Sequence, residues 1–149
     1  MKKRIITAVI LIPALLLILF VAPKWATAVL FGLISSLAAF ELLYSTGLVR
    51  HIRLVAYSVL AAFIVPLWCH FGMNPVWGRA GLLLFFLLLF MEMMLSDLRL
   101  KFNKVSVCIA AGILLPYLLS SVVRIMTWST GRYLILIPFV VAFLSDTGA

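Results

Sequence analysis

The sequence predicts an all-α, polytopic integral membrane protein, a bundle of about six transmembrane helices. Three observations predict it. Of the 149 residues, 66% are hydrophobic and 11% are charged, against about 45–50% and about 25% in a soluble domain. The mean hydropathy is +1.30, so folding in water would leave a large apolar surface exposed. The apolar residues also fall into long runs separated by short polar connectors, and a run of about 20 such residues crosses about 30 Å of hydrocarbon.

The expected spans are 5–21, 25–46, 54–71, 81–95, 105–123 and 133–146. The first follows the basic start Lys2-Lys3-Arg4. A basic start and an apolar run also describe a signal peptide, and Ala26-Thr27-Ala28 resembles a cleavage site. The run is longer than a signal core and the next span follows at once, so an uncleaved first span is expected. Connectors at 22–24, 47–53, 72–79, 96–104 and 124–132 carry the Gly, Pro, Asn and Arg signals of turns. The sequence shows no internal repeat and leaves no room for a soluble domain between spans.

Lys and Arg number 12 and Asp and Glu 4, a net charge of +8. The basic residues sit between apolar runs rather than on an amphipathic face, which points to membrane topology and not to nucleic acid. With the N-terminus inside, eight of them fall on inner segments (Lys2, Lys3, Arg4, Arg50, Arg53, Arg99, Lys101, Lys104) and four on outer ones (Lys24, Arg79, Arg124, Arg132). That bias places the N-terminus, and the end of an even number of spans, in the cytosol. Cys69 and Cys108 lie inside apolar runs and read as small buried hydrophobes. His51 and His70 fall on opposite sides, so they share no metal. Trp25, Trp68, Trp77 and Trp128 fall near outer span ends, as an interfacial aromatic belt would.

The four acids, Glu41, Glu92, Asp97 and Asp146, all fall in the cytosolic half of this topology. One reading is a polar cavity open to the cytosol that takes cations, or a phosphate-bearing ligand through a metal. The other is pairing with neighbouring bases. Asp97 is expected to pair with Arg99 and Lys101. Glu41 is expected to be part of a structural pair inside the bundle, with Tyr44 and Ser45 on its face as donors. For Glu92 both readings stand open, and Glu41 and Glu92 together form a candidate intramembrane polar pair. Asp146 differs: 15 steps from Gly131 cover about 22 Å, so it sits at membrane depth or just inside the interface. Thr147 and Gly148 suit an irregular backbone lining a wet cavity, and Pro138 is expected to kink the last span and free a carbonyl. A hard cation such as Mg²⁺ is one way to stabilise that carboxylate.

Several short runs carry a family resemblance. They are Lys3-Arg4-Ile5-Ile6-Thr7-Ala8 ahead of Pro13, Ala38-Ala39-Phe40-Glu41-Leu42 before Gly47, Pro116-Tyr117-Leu118-Leu119, and Ser145-Asp146-Thr147-Gly148-Ala149. Together they resemble the N-terminal half of bacterial phosphatidate cytidylyltransferase, also called CDP-diglyceride synthase. The resemblance implies a nucleotidyltransferase of phospholipid biosynthesis in the bacterial inner membrane, converting CTP and phosphatidate to CDP-diacylglycerol and pyrophosphate with Mg²⁺. It implies that Asp146 is a catalytic and metal-binding acid and that Thr147 and Gly148 line the site. The family goes on to a glycine-rich stretch, a Ser-Pro-x-Lys-Thr run and further acids that follow none of these residues here. The sequence taken alone is therefore expected to be an inactive fragment, with a homodimer as a candidate partner. Two other classes fit the composition. One is a non-catalytic polytopic protein, such as a transporter unit or an assembly partner. The other is a related membrane lipid kinase.

Overall fold

The computed structural model describes residues 21, 23–72, 74–95, 102–128 and 131–147, and their regular structure is helical throughout. Helix α1 (Lys24–Phe40) runs into a π-helical turn, π1 (Glu41–Ser45). Helices α2 (Ile52–Phe71) and α3 (Pro75–Leu95) follow. Then α4 (Phe102–Ile109), π2 (Ala110–Leu114) and α5 (Leu115–Thr127) form one continuous rod. Two short helices, α6 (Gly131–Leu134) and α7 (Leu136–Thr147), complete the described chain.

Four of these stretches, Lys24–Ser45, Ile52–Phe71, Pro75–Leu95 and Phe102–Thr127, are long and apolar enough to cross a membrane. They coincide with the second to fifth expected spans. The expected first span, 5–21, lies outside the described residues but for Val21. The sixth is broken: α6 ends at Leu134 and α7 starts at Leu136. Pro138 supplies the reason. It has no N–H to offer the Leu134 carbonyl, and its ring crowds that carbonyl. The third connector is shorter than expected, because α3 starts at Pro75. Asn74 caps it, its Oδ1 accepting from the Val76 N–H at 3.2 Å, and Pro in the first turn gives up only an N–H that had no helical partner.

Small residues set how closely the helices approach. The buried stripe of α1 is Thr27, Ala28, Phe31, Gly32, Ser35 and Ala39. It packs on α2, whose buried stripe is Leu54, Val55, Ser58, Ala62 and Pro66. Lipid tails are as apolar as leucine, so burying leucine drives no helix pairing here; close backbone contact does. The buried hydroxyls of Ser35 and Ser58 donate back to Phe31 O at 2.6 Å and Leu54 O at 2.9 Å, which removes the cost of burying them. Gly112, in π2, is a close point between the rod and its neighbours. A methyl group there would lie 2.9 Å from Phe85 Cζ and 3.2 Å from Ser58 Cα.

Helix α3 stands apart from this packing. Of its most apolar stretch 17% is buried, against 39% for Lys24–Ser45. Short turns make α1, α2 and α3 alternate in direction. One end of the bundle therefore collects π1, the start of α2 and the end of α3. The other end holds Lys24, whose Nζ donates to Thr127 O at 3.3 Å, and the exposed Trp25, Trp77 and Trp128. His51 precedes α2 and His70 lies in its last turn, so the two histidines sit at opposite ends.

Candidate functional site

Glu92 and the bases at the start of α2 meet at the π1 end. A polar pocket of about 470 Å³ is lined by Arg50, His51, Ile52, Arg53, Glu92 and Leu95. Glu92 comes from the last turns of α3, and its side chain is 9% exposed. Arg53 Nη1 donates to Glu92 Oε1 at 3.3 Å. His51 Nδ1 lies 3.9 Å from the same oxygen and is buried without a hydrogen-bond partner. The Arg53 side chain is 68% exposed, so much of its fork of donors stays free for another acceptor. His51 is also the N-cap of α2 and gives it no side-chain cap bond, which leaves the first N–H groups of a 20-residue helix open towards the pocket.

A second cavity runs along the same α2–α3 seam, one helical turn further from the charged end. It measures about 550 Å³ and is lined by apolar residues from Tyr57 to Cys69 on α2 and from Gly78 to Leu88 on α3, with Ile113 and Tyr117 behind. Trp68 forms its far wall, packed so closely on Gly78 that a methyl group there would fall 2.6 Å from the indole. Trp68 is half-buried in the seam, whereas the other three tryptophans have the exposure expected of an aromatic belt.

The structure places the two acids of the candidate pair, Glu41 and Glu92, in different surroundings. Glu92 takes its partners from the start of α2, and Glu41 does not line the pocket. The expected Tyr44 and Ser45 donors to Glu41 are absent among the described hydrogen bonds. Tyr44 stacks instead on Phe40, with ring centroids 5.3 Å apart. Asp146 lies in the last turn of α7, and Thr147 closes that helix, so the backbone is still helical where an irregular segment was expected. Gly148 and Asp97 lie outside the described residues. Helix α7 meets the bundle mainly through α6.

Sequence reasoning missed Arg50, His51 and Arg53 as site residues. The signal was present in the run Arg50-His51-Ile52-Arg53, which was read only as a topology marker. The neighbours of Glu92 among the described residues are a guanidinium and an imidazole. Among the described residues no three His, Cys, Asp or Glu side chains come together. Cys69 and Cys108 are both free thiols, and Cys69 Sγ donates to Ser120 Oγ at 3.3 Å.

Neither a curated protein nor a solved structure matches the chain. One family model does, described as the cytidylyltransferase family, and it covers residues 2–149. By the extent of that match, the chain belongs to the cytidylyltransferase family.

Proposed function

We propose that this chain serves the reaction CTP + phosphatidate → CDP-diacylglycerol + pyrophosphate, in a bacterial inner membrane with the π1 end facing the cytosol. The family match over 2–149 carries the reading. The apolar bundle and its charged end support the choice of a lipid acceptor. In the reaction a phosphate oxygen of phosphatidate attacks the α-phosphorus of CTP. The bond from that phosphorus to the β-phosphate bridging oxygen breaks, and pyrophosphate leaves with the electron pair. Such chemistry depends mainly on positioning and on offsetting negative charge.

Asp146 is the proposed catalytic acid, with Thr147 and Gly148 beside it, on the strength of the Ser145-Asp146-Thr147-Gly148-Ala149 run. Magnesium enters the proposal at Asp146 and not at Glu92, whose carboxylate is engaged by Arg53. When bound, the ion would offset phosphate charge; no step is assigned to it. Arg50 and Arg53 supply positive charge at the same membrane depth as a phospholipid phosphate.

The test is lipid labelling by membranes that carry this sequence joined to the C-terminal half of a family member. Label from [α-³²P]CTP should enter a chloroform-soluble product when phosphatidate is present. Asp146→Asn should lower the rate by about a hundredfold, the scale of removing one charge-stabilising group. Transfer of label from the γ-position instead would identify a lipid kinase and overturn the proposal.

A further inference from the structure

We infer that the α2–α3 seam is a binding site for one anionic glycerophospholipid, with its phosphate at Arg50 and Arg53 and one acyl chain in the apolar cavity. Three features of the seam combine. The first is charge: two guanidinium groups face one carboxylate in the polar pocket. Glu92 holds one Nη1 of Arg53 at 3.3 Å and so orients its fork, leaving the remaining donors for a phosphate.

The second feature is depth. Arg53 lies in the first turn of α2, whose 20 residues are long enough to span. A phosphate bound there sits where a headgroup sits, at the edge of the hydrocarbon. The uncapped N–H groups at the start of α2 add donors of the same polarity.

The third feature is the cavity. From Tyr57 to Cys69 it follows α2 for 12 steps, about 18 Å at the helical rise. Its wall is apolar and lies between membrane-spanning helices, so it accepts a hydrocarbon chain and offers nothing to a free phosphate. Tyr57 and Leu88 on its near rim are each four residues from Arg53 and Glu92. One lipid can therefore reach both parts at once. Helix α3 is the least buried of the four membrane-crossing stretches, which leaves the seam open laterally to the bilayer. Binding needs no nucleotide and no Asp146, so it stands apart from the reaction proposed above.

Native mass spectrometry of the full chain, released from detergent with dioleoylphosphatidylglycerol and dioleoylphosphatidylcholine at equal concentration, tests this. One phosphatidylglycerol adduct should survive, several-fold more abundant than the phosphatidylcholine adduct. Arg50→Gln with Arg53→Gln should abolish that preference, while Lys24→Gln at the opposite end should leave it intact. Gly81→Leu probes the chain-binding part. Gly81 lines the cavity, and nothing lies within 4 Å of a methyl group built there, so leucine fills the cavity without disturbing the fold. It should lower adduct abundance several-fold at unchanged helicity. Equal retention of the two lipids would overturn the inference. So would a preference that survives loss of both arginines, or displacement by inorganic phosphate with no effect of Gly81→Leu.

Discussion

The α1–α2 contact and the α2–α3 contact join neighbouring helices by different physics. The first is a seam of Ala, Gly and Ser, with backbones close and hydroxyls turned back on their own helices. The second is held open along much of its length and pinned at one end by Arg53 and Glu92. In lipid a helix gains little by hiding leucine, so closeness comes from small residues and separation costs little elsewhere. The tight seam gives the bundle its shape. The loose seam gives it a cavity with charge at its mouth.

The largest expected effect is a bulky residue where the rod meets α2 and α3. Gly112→Leu should destabilise the bundle by about 1–3 kcal/mol, the usual cost of overpacking, because the Ser58 backbone cannot move aside as a side chain can. Thermal unfolding in detergent checks it. An unchanged midpoint would mean that π2 is not a close contact.

Next comes an asymmetry at the pinned end. Arg53→Ala strands a carboxylate that is 9% exposed, whereas Glu92→Ala strands a guanidinium that is 68% exposed. The first should cost about 1–3 kcal/mol, as a buried group left unsatisfied does. The second should cost under about 1 kcal/mol, as an exposed ion does. Equal losses in the same unfolding assay would remove the distinction between the two partners.

The smallest expected effect lies on the open face of α3. Leu83 and Leu87 are 62% and 63% exposed. Truncating either to alanine should change stability by under about 0.5 kcal/mol, because lipid replaces the lost contacts. A loss comparable with that of Gly112→Leu would show that this face meets protein rather than lipid.

The helices themselves were legible, because hydropathy over a run of spanning length records what lipid demands of a backbone. The exceptions are instructive. Residues 75–79 fall in an expected connector that carries Gly78 and Arg79, yet Asn74 and Pro75 form a helix start. The two π-turns leave no mark in composition. At the candidate site, Glu92 was singled out, but its partners Arg53 and His51 lie 39 and 41 residues earlier. Only the turn geometry of α2 and α3 decides which base meets that acid. Asp146 stands out in the sequence by its depth in the last span and by a five-residue resemblance, and it lies in the last turn of α7.

Everything proposed for the charged end requires that it face the compartment that holds CTP. Arg50 is exposed in the turn between π1 and α2 and offers a direct probe. In a chain carrying Cys69→Ala, Cys108→Ala and Arg50→Cys, a membrane-impermeant maleimide should label inverted vesicles and leave intact spheroplasts unlabelled. Labelling of intact spheroplasts alone would place Arg53 and Glu92 on the outer side and contradict the account.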